Sequence, residues 1–186
     1  MKIMVKIGYI FLSISFLFYL SLPNLSFPEA PKDALQSNEP ADTETPQRRA
    51  YFTNLTREEV MRHYSEQMKI NIFDFNLPSN RLNYPPEEAQ VIIRDQTRST
   101  FLEEISNPFR EGIFVNGFEP KDPKDAIFIQ GKVWRQKIII RQVASTEGLR
   151  IVLGSVSVLL IPIIFNSLLN AVTDLRKETK KLWISR

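Results

Sequence analysis

Apolar residues crowd the two ends of the chain, and polar and charged residues dominate between them. Residues 7–22 carry no charge, and extension back over Lys6 to Ile3 gives a twenty-residue apolar segment. A helix of that length spans ~30 Å, the thickness of a bilayer core. Lys2 and Lys6 precede it, the flank expected on the cytoplasmic side. A cleaved signal peptide is the competing reading. Cleavage calls for small residues near the end of the apolar run, and Leu20-Ser21-Leu22-Pro23 offers no such site. Residues 3–22 therefore read as a retained transmembrane anchor.

A second apolar run occupies residues 151–165, and counted from Leu149 to Val172 it is long enough to span. It is apolar on all sides, unlike the striped helix of a soluble core. Arg150 at its start is placed to snorkel to the interface. Pro162 removes one backbone donor and is expected to kink the helix. Within residues 149–172, Gly154 and Ser157 are small enough for close helix approach, and Asn166 and Asn170 lie one turn apart on one face. Intramembrane asparagines seek hydrogen-bond partners, which marks these four positions as candidate packing sites between spans or against another membrane protein. The bland alternative is that the serines bond their own preceding carbonyls.

Between the spans, residues 23–49 hold five prolines, five acids and few large apolar side chains. Such a segment buries too little to offset its ordering entropy and reads as a disordered tether. Residues 50–148 carry the periodicities of a folded α+β domain. Thr56-Arg57-Glu58-Glu59 is a capping box opening a helix whose face is Val60, Met61, Tyr64 and Met68. Phe73, Phe75 and Leu77 alternate as a short strand or extended loop. Pro85-Pro86-Glu87-Glu88 opens a second helix expected to run to Asn107-Pro108, with Ala89, Ile93, Phe101 and Ile105 on one face. Gly112–Val115 reads as a strand ending in an Asn116-Gly117 turn. Residues 126–134 form a hairpin around Gln130-Gly131, and alternation through Gln136, Ile138 and Ile140 carries its second strand on to Val143. The expected architecture is two helices on a small antiparallel sheet, flanked by two transmembrane helices.

Charge orients this arrangement. The chain carries a net +3; residues 1–22 carry +2, and residues 173–186 carry five positive against two negative charges. Both basic flanks thus lie at the outer ends of the spans. The positive-inside tendency places both termini, including a basic tail over residues 173–186, in the cytoplasm and the central domain outside, across a membrane read as the plasma membrane. The pI near 9.2 comes from these tails, so it does not point to nucleic acid.

Composition narrows the chemistry. There is no cysteine and one histidine among 186 residues. Disulfide scaffolds, thiol catalysis, zinc ribbons and iron–sulfur centres are excluded, and multi-histidine metal sites are disfavoured. No cofactor motif is present. His63 sits opposite the apolar face of its helix, within reach of Glu59 and Glu66, which fits a solvated helix surface better than a general base. Asp95 with Arg98 or Arg94 is a candidate to hold a substrate carboxylate or to form a buried ion pair. Glu87, Glu88, Glu103 and Glu104 raise a paired-acid hydrolase, although salt-bridged helix surfaces explain them more simply. Asp122 and Asp125, near Glu119, lack the alternating calcium-loop pattern. Asn54-Leu55-Thr56 and Asn24-Leu25-Ser26 match the short glycosylation sequon.

The most distinctive surface pattern is Lys132, Trp134, Arg135, Lys137 and Arg141 along one strand, a candidate interaction surface for an anionic polymer or lipid headgroups, with a solvated basic side as the plain alternative. Taken together, the chain reads as a membrane-anchored structural or interaction protein, an accessory subunit of a cell-envelope assembly. Its partners are then membrane lipid and another membrane or envelope protein, or a second copy of itself. An envelope hydrolase using carboxylates and an extracytoplasmic sensor or ligand-binding module are the alternatives.

Overall fold

The computed structural model describes residues 3–72, 75–85 and 99–184. The chain divides into two units: one of the terminal segments 1–23 and 146–186, the other of residues 24–145.

The terminal unit holds two helices, α1 (Ile3–Ser21) and α3 (Glu147–Ile184). Both are long and apolar enough to cross a membrane. Leu20 in α1 lies against Gly154 in α3, and Tyr9 Oη donates to the carbonyl of Val158 further along. Earlier α1 residues therefore meet later α3 residues, so the helices pack antiparallel. The run expected to end at residue 172 continues as helix to Ile184 and passes through Pro162. Its 38 residues extend ~57 Å at the α-helical rise, more than a bilayer core needs.

The second unit is α+β. Its six-stranded antiparallel sheet has the order β1-β2-β10-β7-β6-β5. The strands are β1 (Leu35–Gln36), β2 (Arg48–Thr53), β5 (Asn80–Tyr84), β6 (Phe101–Asn107), β7 (Glu111–Phe118) and β10 (Gln136–Ala144). Two hairpins stand apart from it: β3 (Ile70–Ile72) with β4 (Phe75–Leu77), and β8 (Ile127–Ile129) with β9 (Lys132–Trp134). The helix α2 (Arg57–Gln67) covers one sheet face.

The Thr56 capping box forms as the sequence implies. Thr56 Oγ1 accepts from Glu59 N at 3.3 Å, and Glu59 Oε2 accepts from Thr56 N at 2.7 Å. These bonds satisfy donors that a helix start leaves orphaned, and they hold the Glu59 carboxyl below its ordinary pKa. The α2 stripe of Val60, Met61, Tyr64 and Met68 buries completely against Tyr51, Ile105, Ile113, Val115, Ile138 and Ile140. These sheet residues alternate with opposite-facing ones, as strand geometry dictates.

Four expectations need correction. The sheet is larger than the small one anticipated. The second helix does not reach Asn107, because Phe101–Asn107 is strand β6; residues 86–98, including Ala89, Ile93, Arg94, Asp95 and Arg98, lie outside the described residues. Asn116-Gly117 is no turn but the interior of β7, paired with Leu102 and Phe101 across the sheet. Gly117 is needed there because a Cβ would come within 2.0 Å of the Phe101 ring.

The fourth concerns residues 23–49. Rather than a disordered tether, residues 24–49 are built into the α+β unit. Leu25, Phe27 and Ala34 pack on the core, β1 pairs with β2, and Ser37 and Asp42 are buried. Gln67 fastens the segment to α2: its Oε1 accepts from Glu29 N at 2.7 Å, and its Nε2 donates to Glu29 O at 3.3 Å. Three apolar contacts and polar anchors from distant elements supply the ordering energy that local composition lacks.

Candidate functional site

The strand residues singled out from sequence do not present one basic surface. Lys137 Nζ lies 2.7 Å from both Glu39 and Asp42. Burial pushes its ammonium down, and the hydrogen bonds to Asp42 and Glu39 outweigh that, so its pKa is raised. Arg135 pairs with Glu119 at 2.8 Å. Trp134 is buried and donates from Nε1 to Ile129 O, while Lys132 Nζ sits 4.2 Å over its ring. Arg141 is exposed and faces Arg48 across the β2–β10 ladder. Four of the five residues thus work inside local ion pairs or packing, and the acids that pair Lys137 and Arg135 come from other segments of the chain.

The β8–β9 hairpin that carries Lys132 and Trp134 has a feature the sequence reading passed over. Phe128 and Val133 are directly opposed, and both are exposed. The hairpin closes through Gln130 and Gly131, both at positive φ (53° and 73°), the backbone a two-residue hairpin turn requires.

Of the carboxylates considered for catalysis, the two among the described residues, Glu103 and Glu104, make ion pairs or hydrogen bonds within the domain. Glu103 is 0% exposed and held between Arg57, at 2.6 Å, and Arg81. Burial pushes its carboxyl up, but the hydrogen bonds from Arg81 and Arg57 prevail and leave its pKa lowered. Glu104 accepts from Tyr84 Oη. Glu87 and Glu88 lie outside the described residues. Glu103 is therefore held as the ionised partner of two arginines.

His63 meets neither Glu59 nor Glu66. Its Nε2 is 3.0 Å from Glu29 O and 2.8 Å from Gln67 Nε2. It belongs to the fastening of residue 29 onto α2. Asp122 pairs with Lys124 at 3.1 Å. Among the described residues, no three His, Asp or Glu side chains are placed to hold a metal ion.

A second buried ion pair went unnoticed in sequence. Arg110 and Glu111 are adjacent, almost fully buried, and 3.1 Å apart. Asn107 Nδ2 donates to Met68 O at 3.0 Å, which satisfies an orphan carbonyl at the C-terminus of α2.

In the helical unit, Gly154 permits the close approach expected of a small residue: a Cβ there would lie 2.4 Å from Leu20 Cδ1. Ser157 Oγ instead donates to Leu153 O at 2.8 Å, within its own helix. Asn166 and Asn170 are exposed. They lie ~18 and ~24 Å along α3 from Gly154, near the level of the N-terminal end of α1. Arg150 is 4% exposed and donates to Leu20 O and Leu22 O at the C-terminal end of α1. No family model matches the chain, and no curated protein and no solved structure matches it either.

Proposed function

We propose that the protein is a membrane-anchored structural or interaction protein, an accessory subunit of a cell-envelope assembly. Both termini are cytoplasmic, and residues 24–145 form the domain held outside. The observation that supports this reading is the antiparallel pairing of two apolar helices, with a folded unit between them. A chain built this way returns to the side of the membrane from which it started. The basic residues Lys6, Arg176 and Lys177 then fall on one side, in accord with the positive-inside tendency. Recognition of an envelope protein is assigned to the β8–β9 hairpin, where Phe128 and Val133 form an exposed apolar pair beside Lys132.

The test uses the absence of native cysteine. Single cysteines at Lys124 and Trp183, both exposed, are probed with a membrane-impermeant thiol reagent on intact cells. Labelling of residue 124 alone supports the topology; labelling of both overturns it. A photo-crosslinking residue at Phe128 then reports the assembly. A discrete adduct above the monomer, lost in Val133→Asp, supports the interaction role, and unadducted protein alone counts against it.

A further inference from the structure

The chain enters the α+β unit at Asn24 and leaves it at Ser145, and these two residues are joined. Asn24 Nδ2 donates to Ser145 O at 3.1 Å. Ser145 N and Oγ both donate to Arg110 O, at 3.1 and 2.9 Å. Arg110 closes the β6–β7 hairpin through a bond from its N to Asn107 O at 3.1 Å. The tip of that hairpin, Pro108-Phe109-Arg110, therefore lies beside both points where the chain runs on toward an apolar helix. Ser145 is two residues short of Glu147, where α3 begins.

The tip is apolar. Phe109 is 77% exposed, and a shallow groove beside it is lined by Pro108, Phe114, Val143 and Ala144, with Glu104 and Ser106 at its polar side. Val143 is 49% exposed. The neighbouring charge is turned inward, since Arg110 is buried on Glu111. Phe109 also holds φ at 63°, the left-handed region, which costs a bulky residue ~1–2 kcal/mol and which glycine or asparagine would adopt more readily. Backbone geometry thus gives no reason for phenylalanine here.

Apolar exposure alone would not separate this tip from the β8–β9 hairpin. Position does. The β8–β9 hairpin leads into Gln136 at the start of β10, and Ser145 follows the end of β10, nine residues on. That strand spans ~27 Å. Of these two tips, the β6–β7 tip is the one beside the residues at which the chain enters and leaves the α+β unit.

We propose that Phe109 and Val143 at this tip form a membrane-interface contact, seated at the headgroup–acyl boundary of the bilayer that α1 and α3 cross. The inference rests on the membrane-anchored reading. An exposed aromatic side chain on a rigid hairpin suits that boundary, where apolar bodies gain burial and nearby backbone stays wet.

The experiment takes the full chain in liposomes, with an environment-sensitive fluorophore on single cysteines at positions 109, 128, 143 and 160. Position 143 leaves Phe109 intact, and Leu160 lies within α3. Nitroxide-labelled lipids serve as quenchers. The expected result is a blue-shifted emission at 109 and 143 with at least two-fold quenching by a shallow nitroxide, no quenching at 128, and quenching of 160 by a deep nitroxide. Position 160 quenched with 109 and 143 resembling 128 overturns this inference alone. Position 160 unquenched overturns the anchored reading and this inference with it.

Discussion

Arg150 in the first turn of α3 closes the C-terminus of α1: its Nε donates to Leu20 O at 3.0 Å and its Nη2 to Leu22 O at 2.7 Å. The last carbonyls of a helix have no partners within it and carry the negative end of its dipole. A guanidinium, with its fork of donors, answers both needs, and a buried position strengthens the interaction.

Arg150→Met keeps much of the side chain's packing and removes the bonds. Hydrogen bonds to charged groups contribute ~1.5–3 kcal/mol, so the backbone amides in the last two turns of α1 are expected to exchange about ten- to a hundred-fold faster. Arg150→Lys recovers part of this, since an ammonium cannot present two parallel donors. Hydrogen exchange on the full chain in detergent measures both. Unchanged protection in Arg150→Met would show that helix packing alone sets the stability of α1.

Glu103 gives an acid-side prediction. Its carboxyl is below the ordinary value when folded, so its ionisation favours the folded state. That contribution is complete above the unfolded pKa, near 4.3, and is lost as the pH falls through the lowered folded value. Glu103→Gln leaves Arg57 and Arg81 without their shared partner and is expected to cost ~2–4 kcal/mol at neutral pH. Both arginines are partly exposed, which favours the lower end. Thermal unfolding from neutral pH to about pH 3 should show the gap between variant and parent narrowing. A gap that stays constant with pH refutes the assignment of Glu103 as an ionised partner.

Tyr64 carries a cost rather than a gain. Its side chain is fully buried, and its hydroxyl has no hydrogen-bond partner among the described residues. Burial raises its pKa far above the ordinary tyrosine value. Removing an unsatisfied buried hydroxyl relieves its desolvation penalty, so Tyr64→Phe is expected to stabilise the domain by ~1 kcal/mol, about 3–6 °C in Tm. A fall in Tm of that size would mean that the hydroxyl is engaged.

What the sequence could reveal follows from how local each signal is. The Thr56 cap, the α2 stripe and the Gln130-Gly131 hairpin turn are written in contiguous residues, and all three form. Phe101 and Ile105 are separated by four, a spacing that suits a helix turn and equally two steps of a strand. The residue that would decide, Glu103, is charged and so hides the strand's inner face; it is buried only because Arg57 and Arg81 reach it from other elements. Gly117 misled for a similar reason, since its role is room for the Phe101 ring. Of the candidate surface, Trp134 and Lys132 could be placed on the hairpin, whereas the acids that neutralise Lys137 lie about a hundred residues away in sequence.

The same Lys137 gives the last prediction. Residues 24–49 have a composition that does not order by itself, and Asp42 is where a charge on the sheet holds them. Asp42 is 3% exposed, with Oδ2 2.7 Å from Lys137 Nζ, whereas Glu39 in the same pair is largely solvated. Burial makes the Asp42 contact the stronger, because an exposed pair contributes only ~0–1 kcal/mol. Asp42→Asn is therefore expected to release the segment around β1, and Glu39→Gln to leave it in place. Limited proteolysis of the full chain reads this directly: cleavage between residues 34 and 47 should accelerate about ten-fold in Asp42→Asn and less than two-fold in Glu39→Gln. Lys137 has a raised pKa, so its contribution is complete at neutral pH, below the ordinary lysine value, and is lost as the pH rises through the raised one. Parent protein should accordingly become protease-sensitive at this segment at strongly alkaline pH, where Asp42→Asn gains no further sensitivity. Equal cleavage of the two variants at neutral pH would place the anchor elsewhere, on the Gln67–Glu29 bonds and the packing of Leu25 and Phe27.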